Sequence, residues 1–303
     1  MTHSVIIATM NRPAEVGRLL RCLCRQTRPP DEIVVADASS DDETERTARS
    51  LMSESGVRLI LLRLTAGLCA QRNAGIDAAR GDILTFFDDD VIPDARYCEW
   101  VVSRFAEDEH DRLVGIGGCP SDPQVPGPLQ TAFRRFFLLQ SDRGRNRFLS
   151  SGIPDFGARF EEPVEVEFLS TAAASFRRTA VGDRRFDEKT YSGAPLGLAT
   201  GRAFAEDVAF SAMLAKSGIL VVDPTLSYVH DRSVKNREST FVTQCLYVYG
   251  LRSISRIHAR SKIARCWALL GQGLLCTFQA FFTGEPGYLT GYMHAMRSPR
   301  SIR

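Results

Sequence analysis

Short apolar runs alternate with stretches of helical spacing along the first part of the chain. The runs 5–8, 33–36, 57–64, 83–87 and 114–117 are rich in Val, Ile, Leu and Phe and predict strands. Apolar residues at three- and four-residue intervals predict helices over 14–26, 41–53, 69–79 and 94–105, two of them opening just after Pro13 and Pro93. Strand–helix alternation at this spacing predicts an α/β fold, a mostly parallel sheet with helices on both faces. Ligands of such sheets bind beyond the carboxyl ends of the strands, so candidate chemistry is expected just after a strand.

The pattern changes beyond residue 118. Pro120, Pro123, Pro126 and Pro128 interrupt it, and Arg134, Arg135, Arg143, Arg145 and Arg147 make a basic cluster, so 119–163 predicts a loop-rich connection. Order returns over 164–176. A helix is predicted over 206–216, closed by Gly218, with strands at 219–222 and 226–229 and a wholly helical tail.

Composition narrows the class. The 303 residues carry 38 Lys+Arg against 36 Asp+Glu, so bulk charge excludes a general nucleic-acid binder. Eight cysteines include no CxxC pair or zinc spacing, and the chain opens almost at once on a strand-like run, so a reduced cytoplasmic protein without a secretory leader is expected. The longest uncharged apolar run, 266–282, is short for a bilayer span and is interrupted by Gln272 and Gln279, which favours a buried or interfacial helix.

The strongest chemical signal is Asp88-Asp89-Asp90, directly after the run 83–87. Adjacent carboxylates repel one another, and a divalent cation is the usual way to make that repulsion useful. Such a cation can bridge two phosphates and neutralise charge on a departing diphosphate. The bland alternative is a solvated acidic turn that caps the next helix.

Further blocks accompany the triplet. Arg72-Asn73-Ala74-Gly75-Ile76 is followed by Gly81-Asp82, an apolar strand and the aspartates. Upstream lie Ser4-Val5-Ile6-Ile7-Ala8-Thr9-Met10-Asn11-Arg12 and Val34-Val35-Ala36-Asp37-Ala38-Ser39; downstream lie Phe186-Asp187-Glu188 and Ala205-Glu206-Asp207. In order, over roughly residues 1–230, the set resembles family 2 of the inverting glycosyltransferases.

The resemblance implies a GT-A fold, a Rossmann-like, mostly parallel mixed sheet flanked by helices, with a helical C-terminal extension. It divides the chain into a nucleotide-sugar half (1–118), an acceptor and base half (119–237) and the extension (238–303). It implies that Thr9, Asn11, Asp37, Arg72, Asp88 and Asp89 bind the nucleotide sugar, that Asp90 and His230 hold Mn2+ or Mg2+, and that Asp207 is the general base. A carboxylate such as Asp37 suits the imide N–H of uracil or thymine. An inverting transfer needs a base to take the acceptor's proton, and the Gly-, Ala- and Thr-rich stretch 192–204 before Asp207 suits a mobile segment. The donor is then a UDP- or dTDP-sugar and the acceptor a glycan or lipid-linked hydroxyl.

Three departures from the family pattern stand out. Asp37 is followed by Ala38 where a polar residue is usual, Met10 replaces an aromatic, and 170–177 carries three alanines where Gly-Gly-Asn is frequent.

In the tail, Arg252, Arg256 and Arg260 fall on one helical stripe opposite Leu251, Ile254 and Ile257. This predicts a peripheral seat on the inner face of the cytoplasmic membrane, with arginines packed outward from the domain as the competing expectation. The first loop, Thr9 to Pro13, has no glycine, which argues against a dinucleotide oxidoreductase or a nucleotide-sugar pyrophosphorylase. A non-catalytic sugar- or nucleotide-binding scaffold on the same fold remains open.

Overall fold

The computed structural model describes residues 1–123, 126–141, 145–157, 160–231 and 239–298; Arg143 of the basic cluster lies outside them. Strands in chain order are β1 (His3–Thr9), β2 (Glu32–Asp37), β3 (Arg58–Arg63), β4 (Ile83–Asp88), β5 (Val91–Pro93) and β6 (Leu113–Pro120). They continue with β7 (Arg147–Phe148), β8 (Pro154–Asp155), β9 (Val164–Val166), β10 (Ala173–Arg177) and β11 (Ile219–His230). The helices are α1 (Pro13–Cys24), α2 (Glu43–Met52), α3 (Leu68–Ala78), α4 (Tyr97–Ala106) and α5 (Pro128–Phe136). After them come α6 (Arg178–Val181), α7 (Glu206–Leu214), α8 (Thr240–His258), α9 (Lys262–Thr283) and α10 (Gly287–Arg297).

The chain divides into two compact units. The first comprises Met1–Pro123, Arg159–Phe186 and Phe210–Lys235; the second comprises Gln124–Ala158, Asp187–Ala209 and Asn236–Arg303. They are therefore interleaved along the sequence, unlike the linear division at 118 and 237.

In the first unit one sheet runs in the order β3-β2-β1-β4-β10-β6-β11-β5, with β9 paired to β11. The first four strands are parallel, β10 is antiparallel to both β4 and β6, and β6 and β11 are again parallel. This is the expected α/β architecture. Val5, Ile7, Ile33, Val35 and Phe87 pack against α1, α2 and α4 through Leu19, Leu20, Ala48 and Val101. On the other face Ile6 meets α3. A Cβ on Gly75 would come 2.4 Å from the Ile6 methyl, so glycine lets α3 approach β1 closely and carry Gln71 and Arg72 to the strand ends.

Two strands predicted at 219–222 and 226–229 are one, β11, whose register against β6 shifts between Val222 and Ser227. Pro224 there has no N–H to give the ladder, and Asp223 takes the Thr225 amide at 2.9 Å instead.

The stretch 119–163 is less loop-rich than predicted: α5 starts with Pro128 in its first turn, and β7 and β8 form a ribbon, both in the second unit. The tail is helical, as expected. The expected α8 stripe is present only in part, through Arg252 and Arg256 with Leu251 and Ile254. Leu251 and Ile254 are buried while Ile257 is 68% exposed. Arg252 donates to the carbonyls of Ala295 (2.7 Å) and Ser298 (3.1 Å), and Arg260 follows the end of the helix. Leu246, Tyr249, Leu251 and Ile254 were needed to bury α8 in its own unit.

A polar chain lies inside the sheet: the His3 ring shares a hydrogen bond with Thr85 (2.7 Å), and Thr85 with Ser175 (2.6 Å). Burial pushes His3 from its ordinary 6.5 down to about 4, and the Arg28 charge acts the same way. The folded state thus favours neutral His3. Its contribution to stability is complete above pH 6.5 and is lost as pH falls towards 4. In urea unfolding, the stability difference between wild type and His3→Gln should shrink by about 2–3 kcal/mol from pH 7.5 to 4.5.

Candidate active site

The candidate residues of the first unit gather at the carboxyl ends of β1, β2 and β4. Register sets them side by side: Thr9 lies opposite Asp37, and Ala8 opposite Asp88. Asn11 has a left-handed backbone (φ 56°), which asparagine tolerates. Its amide donates to Ser39 Oγ at 2.8 Å, and its Oδ1 accepts from the Ser40 amide at 2.8 Å, joining the turns after β1 and β2. Buried Asp37 accepts the Ser39 amide (2.8 Å) and hydroxyl on one oxygen and Arg63 (3.3 Å) on the other. Ser39, next after Ala38, is thus a polar partner of Asp37.

Each aspartate of the triplet has a different environment. Asp88 is partly exposed and pairs with buried Arg72 at 3.1 Å. Asp89 points inward, where Thr9 donates to it at 2.7 Å and Arg12 binds it closely. Burial pushes its carboxyl up to about 6, against the pull of Arg12 and Thr9. Asp90 meets Arg12 at 3.2 Å and His230 Nε2 at 3.0 Å. Burial would raise Asp90, but the hydrogen bond and charge of His230, aided by Arg12, outweigh it and hold it below its ordinary value.

His230 is placed by the pairing of β11 with β5, where it stands opposite Val91, next in the chain to Asp90. One ligand atom each from Asp88, Asp90 and His230 lie within 4.8 Å of one another, a group that can hold a metal ion. Two carboxylates with one imidazole suit a divalent cation that takes oxygen and nitrogen ligands. The Thr9 hydroxyl and Asp89 are hydrogen-bonded to each other beside Asp88 and Asp90.

Three residues without an assigned role from sequence hold this arrangement. Arg12 is the cation between Asp89 and Asp90. Gln71 donates to the carbonyls of Thr9 and Ala36, both at 2.8 Å, and clamps β1 to β2. Asn73 exchanges two hydrogen bonds with the Phe186 backbone (3.0 and 2.8 Å), while the Arg72 guanidinium lies 5.4 Å from the Phe186 ring centre. The signal for Arg12 was its place three residues after Thr9; nothing in sequence pairs it with a triplet 77 residues away.

The Glycosyl transferase family 2 profile matches residues 4–184, a stretch that contains all of these residues except His230 and Phe186. The chain belongs to glycosyl transferase family 2. It is 33% identical over 129 residues to validoxylamine A glucosyltransferase of Streptomyces hygroscopicus subsp. limoneus, a match covering 41% of this chain and 28% of that protein. With the chondroitin synthase of Escherichia coli it shares 30% over 114 residues, 37% of this chain and 17% of that one. The chain thus spans less than a third of either relative. In fold it is similar to S. aureus TarS 1–349 in complex with UDP, with a TM-score of 0.54 and 17% identity over 93% of this chain and 72% of that one. The architecture is accordingly the GT-A type with a helical C-terminal region.

Asp207, the candidate base, belongs to the second unit, in the first turn of α7. It is half-buried, and its carboxylate accepts the Val208 amide at 2.8 Å; neighbouring Glu206 is buried. Ala205 just before them is left-handed (φ 67°), a backbone that alanine seldom adopts.

Replacing Arg12 by Ala would leave Asp89 and Asp90 without their shared cation. The metal-free family 2 chain should lose on the order of 3 kcal/mol, as when one partner of a largely buried ion pair is removed. Manganese should then raise the melting temperature of Arg12→Ala more than that of wild type. Melting curves with chelator and with manganese measure both effects.

Proposed function

We propose that the chain is an inverting glycosyltransferase that moves a sugar from a UDP- or dTDP-sugar to a hydroxyl of a glycan or lipid-linked acceptor. The observation that carries this is the convergence of Asp88, Asp90 and His230 at the end of β4, with Arg72 on Asp88. Asp88, Asp90 and His230 would hold manganese or magnesium, whose chemistry is to offset the charge growing on a departing diphosphate. Arg72 adds a fixed cation for the diphosphate. Thr9, Asn11 and Asp37 line the nucleotide side; the Asp37 oxygen that meets Arg63 keeps a lone pair for a base N–H, while the other already accepts the Ser39 amide and hydroxyl.

Asp207 is the proposed base. It takes the proton of the acceptor hydroxyl as that oxygen bonds to the anomeric carbon and the carbon–phosphate oxygen bond breaks on the opposite face, which inverts the centre. A lipid-linked acceptor goes with a cytoplasmic location, peripheral on the inner face of the membrane.

Two measurements test these roles. UDP with manganese should raise the melting temperature, by about 2.7 kcal/mol of stability at a hundred times Kd, and Asp90→Ala should abolish the metal-dependent part. A flat melting temperature for every nucleoside diphosphate and divalent cation would exclude a nucleotide-sugar enzyme. Asp207→Asn should keep nucleotide binding near wild type and cut kcat by about a hundredfold or more. Near-normal turnover would remove Asp207 from the base role.

A further inference from the structure

The exposed apolar surface of the second unit is concentrated on one helix. Ile263, Trp267, Leu270, Leu274, Phe278 and Phe281 follow at intervals of four, three, four, four and three residues, one stripe of α9. Ile263 is 84% and Phe281 81% exposed. From Ile263 to Phe281 the stripe runs about 27 Å at 1.5 Å per residue. α5 widens it with exposed Leu129 and Phe136, the Phe136 ring standing 5.4 Å from Trp267.

α9 is long and apolar enough to cross a membrane, but its other face is committed to the protein. Ala268, Gly271 and Cys276 are buried there. A Cβ on Gly271 would come 2.2 Å from Phe137, and one on Gly273 2.7 Å from Tyr292. The Tyr292 hydroxyl donates to the Leu269 carbonyl at 3.0 Å, and Trp267 Nε1 to the Phe136 carbonyl at 2.8 Å. A spanning helix would forfeit these contacts; a helix lying in the plane of the bilayer keeps them all.

Charge identifies what covers the stripe. Residues 239–284 contain no Asp or Glu but hold Arg252, Arg256, Arg260, Lys262 and Arg265. Four of the five line a cavity of about 490 Å³ where α8 ends and α9 begins, and Arg265 Nε is buried there without a hydrogen-bond partner. A second copy of this chain would bring the same cations with no acids on this stretch to answer them. An anionic surface answers them.

We propose that α9, flanked by α5, is an in-plane docking helix for a bilayer that contains anionic lipids. The stripe enters the boundary between headgroups and acyl chains, and the exposed Arg256, Arg260 and Lys262 near the α8–α9 turn meet lipid phosphates, while Arg252 stays on the Ala295 and Ser298 carbonyls. This narrows the peripheral location proposed above, on which it rests, to one helix face.

The test is flotation of the full chain with phosphatidylcholine vesicles, with and without about one third phosphatidylglycerol. Neither sugar donor nor acceptor is present, so the outcome is independent of glycosyl transfer. Wild type should float with anionic vesicles at least about tenfold better than with neutral ones. Ile263→Glu/Leu270→Glu/Phe281→Glu should lower that binding about tenfold or more with its melting temperature retained, because these side chains are exposed. Arg256→Glu/Lys262→Glu should remove the preference for anionic lipid. In a Trp100→Phe background, Trp267 emission should move to shorter wavelength on binding, which keeps the test sound if the triple variant folds poorly. Wild type left in the soluble fraction at low salt, or a folded triple variant that floats like wild type, would overturn the proposal. So would a lipid-free dimer that the triple variant converts to monomer.

Discussion

Three adjacent carboxylates at the end of a buried strand repel one another, and the surrounding structure answers that repulsion one group at a time. Asp89 turns inward, where burial costs it part of its acidity against the pull of Arg12 and Thr9. Asp88 is answered by Arg72. Asp90 receives His230 from a strand 140 positions later in the chain. The cations come from three different elements, so the end of β4 is a point at which much of the first unit must agree.

That agreement depends on close backbone approach. α3 reaches β1 because residue 75 has no Cβ to strike Ile6, and Gln71 then ties the ends of β1 and β2 through their carbonyls. Asn73, in the same motif, fixes the Phe186 backbone and so the ring beside Arg72. Of five consecutive motif residues, Arg72 faces the acidic group while Asn73 and Gly75 set its position. A motif can therefore mark a site through residues that touch nothing chemical.

The sheet and its helices were legible because buried strands and amphipathic helices write their periods locally. The runs at 5–8, 33–36 and 83–87 sit inside the strands that formed. The Asp triplet was legible for the same reason, as a local density of charge. What failed was non-local. No periodicity announces that β10 enters between β4 and β6, or that the chain crosses between units within α7. The α8 stripe held only in part because helical spacing tells which residues share a face, not where the covered face stops: Ile254 is buried and Ile257 is not. Arg12 was invisible because its two partners lie more than seventy positions away.

The place of β10 also bears on how the molecule is made. Once residues 83–88 leave the ribosome, β4 can join β1 in parallel, but its other edge has no partner until Ala173–Arg177 is synthesised. During that interval the nascent sheet presents unpaired N–H and C=O groups along a strand with four apolar side chains out of six. At about 5–20 residues per second the exposure lasts on the order of ten seconds. The strand whose far end carries the acidic triplet thus waits with one edge open, and charge beside an open strand is a general brake on edge-to-edge association.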